Sequence, residues 1–259
     1  MVEYDEQFAQ ATERSYLMPE IINQRVRTLN ALQLQAGEKV LDVGCGMGLL
    51  TRDMALAVGS SGQVTGVDVS RPMLDLARAR CASLPQVTLH EESALSLSEP
   101  DLCYDVVTCT QLLLYLSDVR GALAEMYRVL KPQGRIAVVE TDWRSVVFNT
   151  ADPDFTQRLF EQWEASIPSP HLPAKLRGLL HDAGFTNVRA EAIPIMNTSY
   201  VPDNYSVGMV HHVLHNQVET GVVSQEKADG YLAGLKALSD ANDYFFCVNR
   251  FLFTAIACK

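Results

Sequence analysis

Asp42, Gly44, Gly46 and Gly48 stand at alternate positions, D-x-G-x-G-x-G, directly after the apolar Val40, Leu41 and Val43 and directly before LLTRDMALAV. Glycines so spaced let the backbone take positive φ and let a ligand approach where a Cβ would clash. The chemistry on offer is the grip of a glycine turn on a nucleotide-type ligand. Further on, Asp68 ends the stretch QVTGVD, where a carboxylate can accept hydrogen bonds from both hydroxyls of a ribose. A dinucleotide fingerprint, G-x-G-x-x-G, needs a third glycine where Leu49 stands, and a phosphate loop needs Gly-Lys-Ser/Thr after the turn. Neither is present. What fits is a ligand with a ribose and no pyrophosphate.

These residues need a strand, a turn and a helix to hold them, and the chain repeats that unit. Apolar positions at helical spacing over 8–34 predict an N-terminal helix stopped by Ala36-Gly37. After the glycine turn and its helix come the strand ending at Asp68, Ser70 as an N-cap with Pro72 beside it, and a helix over MLDLARARCASL. A strand VTLHEE, a strand DVVTCTQL, a helix GALAEMYRVL ended by Lys131-Pro132-Gln133-Gly134, and a strand RIAVVETDW follow. Strands alternating with helices predict an α/β fold, with helices on both faces of the sheet and right-handed crossovers. Ligands of such sheets sit beyond the carboxyl ends of the strands, where residues 44–48, Asp68, Glu91, Thr110 and Asp142 all fall.

Beyond Trp143 the pattern changes. An amphipathic helix over 155–167, a proline-bearing loop PSPHLP, a helix KLRGLLHDAGF and a strand TNVRAEAIPI lead to a last strand, YFFCVNRFLFTAIAC. Between those two strands, MVHHVLHNQVETGVV and SQEKADGYLAGLKALSDA are helical in pattern, too long for a turn and read as a substrate lid.

With 259 residues, 47% hydrophobic and 20% charged, the chain suffices for one elaborated domain. Its expected parts are an N-terminal helical cap (1–36), a cofactor-binding core (37–200), a helical lid (201–242) and a final strand (243–259). The net charge of −10 argues against nucleic acid and anionic membrane as partners, since both are gripped through a basic face. No apolar run reaches spanning length and the N-terminus lacks a signal-peptide profile, so a cytoplasmic location is expected. The six cysteines show no C-x-x-C pair, so neither a disulfide framework nor a metal site is expected.

The ordered words LDVGCGMG, VTGVDVSRPML, EESALSLSEPDLCYDVV, LLLYLSD, EMYRVLKPQGRI and LPAKLRGLLHDAGF, spanning 40–185, resemble the class I S-adenosylmethionine-dependent methyltransferases. The branch they are similar to includes the ubiquinone and menaquinone biosynthesis enzymes and many natural-product methyltransferases. The resemblance implies a Rossmann-like mixed seven-stranded sheet and S-adenosyl-L-methionine as cofactor. It implies that Asp42, Gly44, Cys45, Gly46 and Gly48 hold the methionine part, Asp68 the ribose, and that Val69 and Met73 flank the adenine. Glu91-Glu92 stand where the family usually has Asp and a small residue for the adenine amino group, a departure that leaves open which glutamate makes the contact. Cys109, Thr110 and Gln111 are expected near the methionine ammonium and the transferable methyl. Acidic residues suit this cationic cofactor.

Methyl transfer is an in-line displacement that rests on near-attack geometry and exclusion of water, with a base needed only if the acceptor must lose a proton. Tyr115, in place of a histidine common in the related enzymes, Asp142 and His171 are the candidate catalytic residues; each also has a bland reading, as packed aromatic, exposed turn and solvated loop residue. Trp143 is a candidate aromatic platform. Tyr16, with Tyr4, is expected either to close over the site or to pack on the core. His211 and His215, at i, i+4 in the lid, are expected to line a pocket or pack, not to bind a metal. Met196, Met209, Phe245 and Phe246 are read as core. The expected acceptor is a small, fairly hydrophobic metabolite, and the protein a monomer or homodimer. Alternatives are an arsenite or metalloid methyltransferase using Cys45, Cys103 and Cys109, an enzyme acting on RNA or protein, and a non-catalytic S-adenosylmethionine-binding protein.

Overall fold

The computed structural model describes residues 16–259, so Tyr4 lies outside the described residues. The helix expected over 8–34 is interrupted at Leu17 and Met18. Helix α1 (Pro19–Leu32) starts afresh on a proline, whose missing N–H and fixed φ suit a first turn. The glycine turn then joins β1 (Lys39–Val43) to α2 (Leu49–Val58), followed by β2 (Gln63–Asp68) and α3 (Arg71–Cys81). Ser70 caps α3, its hydroxyl accepting from the Met73 N–H, a contact of about 1 kcal/mol.

Next come β3 (Val87–Glu91), β4 (Tyr104–Thr110), a 3₁₀ turn (Leu113–Tyr115), α4 (Val119–Val129) and β5 (Leu130–Asn149). After these follow α5 (Pro153–Ala165), α6 (Pro173–Asp182), β6 (Phe185–Asn197), α7 (Tyr205–Glu219), α8 (Gln225–Asp240) and β7 (Phe245–Ala257). The seven strands run β3-β2-β1-β4-β5-β7-β6. β1 to β5 are parallel, while β7 is antiparallel to both its neighbours. The mixed seven-stranded sheet and the helices on both faces therefore agree with the sequence reading.

Each face of the sheet has its own core. Leu123 and Met126 of α4 and Leu176 and Leu180 of α6 close one side over Leu41, Val107 and Val138. Ile21 of α1, Met54 of α2, Leu159 of α5, Val210 of α7 and Leu235 of α8 close the other over Val40, Val139 and Leu252. The segment read as a lid is thus built into a core. Tyr231 of α8 bonds Thr156 of α5 through its hydroxyl (2.8 Å), and Tyr244 donates to Ser206 of α7 (2.8 Å). Met209 and Phe246 are buried as expected, but Met196 and Phe245 are not: alternation along β6 and β7 turns them outward.

β5 continues past the Trp143 end expected for it. Its ladder to β7 jumps from Asp142 opposite Asn249 to Val147 opposite Cys247, so residues 143–146 bulge out of the pairing. Ser145 stitches the bulge, donating to the Asp142 carbonyl (2.6 Å) and accepting from the Asn249 N–H (2.8 Å). Bulges of this kind re-aim side chains, and this one carries Trp143. Among the described residues no helix is long and apolar enough to cross a membrane.

Candidate functional site

The glycine turn is held from below by β2: the Gly44 and Cys45 N–H groups both donate to the Val67 carbonyl (2.8 and 3.0 Å). Gly44 and Gly48 take φ of +74° and +75°, and a Cβ on either would lie 2.8 Å from Leu112 or from Ala77. Their glycine character is demanded by packing as well as by φ. Gly46, at φ +52°, has nothing within 4 Å of where its Cβ would be. That open side is where a ligand can meet the backbone.

Asp68 connects the turn to β2. Its Oδ2 accepts from the Gly46 N–H (2.8 Å) and its Oδ1 from the Ser70 N–H (2.9 Å), so both oxygens are oriented by backbone. Burial raises its pKa against the lowering by those bonds. Asp42, 2% exposed, takes a hydrogen bond from Thr51 (2.6 Å), yet burial pushes it up to about 7, with Asp68 adding to the rise. Two carboxylates short of compensating charge beside an open glycine turn fit a cationic ligand. Exposed Val69 follows Asp68, and Met73 packs against Met47, leaving apolar surface for a flat ring. These features fit S-adenosylmethionine.

Tyr16 packs on Met47 and Met73, placing a phenol over the turn. Burial raises its pKa, and Arg250, Tyr205, Asp68 and Glu140 all lie within its electrostatic reach. Glu91 ends β3 in exposed surroundings. Glu92 turns away: its carboxylate accepts from the Ser98 hydroxyl (2.5 Å) and N–H (3.1 Å). The end of β4 departs from expectation in part. The Cys109 side chain is fully buried in the core beneath the sheet, so the thiol takes no part in the site. Gln111, at φ +54°, is tied to β5, its Nε2 donating to the Val139 carbonyl (3.2 Å) and its Oε1 accepting from Thr141 (2.7 Å). Thr110 Oγ1 is buried without a hydrogen-bond partner.

A second group gathers where β5 bulges. The Trp143 N–H donates to the Pro170 carbonyl (3.2 Å) and the Ser169 N–H to the Leu114 carbonyl (2.9 Å). These two bonds pin the 166–172 loop against the ends of β5 and of the turn after β4, and they decide against a merely solvated His171. Its Nε2 lies 3.2 Å from Glu164 and its Nδ1 3.5 Å from Asp142, with Nδ1 buried and making no hydrogen bond. Asp142 is no exposed turn either, being 8% exposed and gripped by Arg144 (2.7 and 3.0 Å). Burial raises its pKa, but the Arg144 bonds outweigh it and hold the carboxyl below its ordinary value. Asp142 is thus charge-paired with Arg144 while lying beside His171. Tyr115 closes the 3₁₀ turn, 39% exposed.

Trp143 is buried and meets Trp163 of α5 edge to face, centroids 5.6 Å apart; Trp163 meets His212 of α7 at the same distance. Both indole N–H groups are buried without a partner. His212, with its pKa lowered by burial and by His215, is the inward histidine of α7. His211 and His215 are on the exposed side, His211 bonded to Tyr200 (2.8 Å). The pocket-lining role expected of that pair is corrected: Val210, Val213 and Leu214 face the core and turn it to solvent.

Sequence reasoning passed over Glu140, Trp163, Glu164, His212 and Arg250. Glu140 and Arg250 carry a signal, each a charged residue inside an apolar strand (AVVET, NRFLF). Glu140 is 0% exposed, and its Oε1 accepts from the Leu112 and Leu113 N–H groups (3.2 and 2.8 Å), fastening the turn after β4 to β5. Burial pushes its pKa up to about 8. The cysteines of the metalloid alternative do not converge, because Cys103 precedes β4 and Cys109 stands near its other end. Over that separation a strand advances about 20 Å.

A methyltransferase-domain family model matches residues 40–134. A demethylmenaquinone methyltransferase of Staphylococcus epidermidis is 32% identical over 203 residues, covering 71% of this chain and 84% of that protein. Among solved structures, phosphoethanolamine N-methyltransferase 2 of Haemonchus contortus, in complex with phosphomonomethylethanolamine and S-adenosylhomocysteine, superposes with a TM-score of 0.66. Identity there is 20%, over 99% of this chain and 59% of that longer one. The [4+2]-cyclase SpnF gives 0.60 at 24% identity, over 91% of this chain and 80% of its own. At such identities the two structures speak for the fold.

Proposed function

The chain belongs to the class I S-adenosylmethionine-dependent methyltransferases, and we propose that it methylates a small, fairly hydrophobic metabolite bound against Trp143, Trp163 and the inner face of α7. The observation that carries this reading is the pinned His171, held between Asp142 and Glu164 near the buried Trp143 and the half-buried Trp163. When bound, the cofactor supplies a methyl carbon made electrophilic by the adjoining sulfonium.

The chain's own residues do the rest. Asp68 accepts from the ribose hydroxyls, its oxygens already oriented by Gly46 and Ser70. Val69 and Met73 flank the adenine, and Glu91 is the carboxylate for its amino group, since Glu92 is engaged with Ser98. Asp42, Cys45 and the glycines 44, 46 and 48 line the methionine part. On the acceptor side, Trp143 and Trp163 exclude water and offer their N–H groups for orientation. His171, placed between Asp142 and Glu164, takes the acceptor's proton where one must leave. Displacement in line then depends on how firmly the 166–172 loop holds acceptor and methyl in near-attack geometry.

Incubation with methyl-labelled S-adenosylmethionine and a metabolite extract of the source organism tests this. Label should enter an apolar fraction of low mass. Label confined to macromolecules, or no transfer while the cofactor binds, would overturn the proposal.

A further inference from the structure

Arg250 lies in β7 opposite Thr141 of β5 and Ile193 of β6, 5% exposed. Its Nη1 donates to the Oε1 of Gln24 on α1, itself 3% exposed. The guanidinium carbon lies over the ring of Tyr205 at the start of α7, 5.2 Å from its centroid. Nε is buried with no hydrogen-bond partner. Among the described residues the guanidinium makes no ion pair. A buried cation is costly unless an anion joins it, and Glu140, within electrostatic reach of Arg250, makes no ion pair with it, its Oε1 being taken by the Leu112 and Leu113 N–H groups.

With Nη1 engaged, the Nε–H and Nη2–H edge remains, and that edge matches the two oxygens of a carboxylate. Its place tells which ligand it faces. β7 is three strands from β1, roughly 14 Å across the sheet, away from the glycine turn and level with Thr141, just before Asp142 and Trp143. Tyr16, whose phenol is in the field of both Arg250 and Asp68, stands between the two halves.

We propose that Arg250, supported by Gln24 and Tyr205, anchors a carboxylate of the methyl acceptor, so that the acceptor is a small apolar molecule bearing an acid group distinct from the methylated atom. This rests on the methyltransferase reading for the word acceptor, and its test reads the two separately. Protein loaded with S-adenosylhomocysteine is titrated calorimetrically with benzoate and 3-phenylpropanoate, and with the corresponding neutral amides. At least one acid should bind tenfold or more tighter than its amide. Arg250→Met should abolish that preference with the amide and S-adenosylhomocysteine affinities unchanged, and Arg250→Lys should retain part of it.

Equal binding of acids and amides by the unaltered protein overturns the proposal without need of a variant, as does a preference that survives Arg250→Lys undiminished. Loss of S-adenosylhomocysteine binding by Arg250→Lys, with the acid preference kept, would give the arginine to the cofactor's carboxylate and equally overturn it. Failure of the unaltered protein to bind S-adenosylhomocysteine, with the acid preference intact, would instead refute the methyltransferase reading.

Discussion

The turn after β1 and the bulge of β5 both hold functional groups at carboxyl ends of strands, but by different means. Around the glycine turn the holding groups are backbone amides: Gly46 and Ser70 orient Asp68, and the Val67 carbonyl supports the turn. Around the bulge the functional groups are side chains from three separate segments, brought together where backbone bonds from Trp143 to Pro170 and from Ser169 to Leu114 dock one segment on another. Trp143 and Asp142 come from β5, Trp163 and Glu164 from α5, and His171 from the loop before α6. A site made of backbone tolerates few residue types where glycine is required and is otherwise indifferent to sequence. A site made of side chains can be retuned one residue at a time while the sheet stays as it is.

Substitutions can sharpen or break that contrast. The largest effect is expected from His171→Gln, which should lower kcat by about 10²- to 10⁴-fold and leave cofactor affinity within about twofold, because the two halves are held independently. Unchanged turnover across the pH range would return His171 to a structural role. Asp68→Ala should weaken S-adenosylmethionine binding by roughly 100-fold, about 2.7 kcal/mol, since it strands the Gly46 and Ser70 amides along with the ribose. Calorimetry showing normal affinity would refute the ribose assignment.

Glu140→Gln addresses the joint between the halves. The folded-state pKa of about 8 lies above the ordinary 4.5, so the folded protein keeps a proton that the unfolded chain releases. Stability is therefore fully present below about pH 4.5 and is lost as pH rises through 8. Glutamine keeps an acceptor for Leu112 and Leu113 and cannot ionise, so the fall in thermal midpoint between pH 5 and 8.5 should flatten. Asp42, raised to about 7, leaves a residual slope of the same sign; a slope identical to that of the unaltered protein would show Glu140 to be ionised in the folded protein over this whole range. The smallest effect belongs to His211→Ala and His215→Ala, expected to change kcat/KM by less than about twofold, as is usual for exposed positions. His212→Ala should exceed both, and a reversed ranking would put the outer face of α7 at the acceptor.

The cofactor half was legible because its parts are near in sequence and each residue type answers a local demand. Positive φ and the close approach of Leu112 and Ala77 call for glycine, and the backbone amides of Gly46 and Ser70 meet at the end of β2, where Asp68 supplies a carboxylate. In the other half single residues were legible and their partnerships were not. Asp142 and His171 stood out, yet their proximity and the grip of Arg144 on Asp142 depend on how the 166–172 loop docks. The i, i+4 spacing of His211 and His215 showed that they share a face, but which face α7 buries depends on what packs against Val213 and Leu214. Cys109 read as a strand-end residue, and the pleat sent its thiol into the core.

From sequence alone followed the order of strands and helices and the glycine turn with a carboxylate at the end of the next strand, while the kind of cofactor followed from the resemblance of the ordered motifs. The first two are settled by backbone sterics and hydrophobic periodicity, which act over a few residues. Only the tertiary structure decided the bulge at 143–146 that aims Trp143, the seat of His171 between two carboxylates, and the burial of Arg250 beneath α1 and α7. Those depend on register and packing between segments far apart in the chain, where the outcome is a sum over many weak contacts and no single residue type announces it.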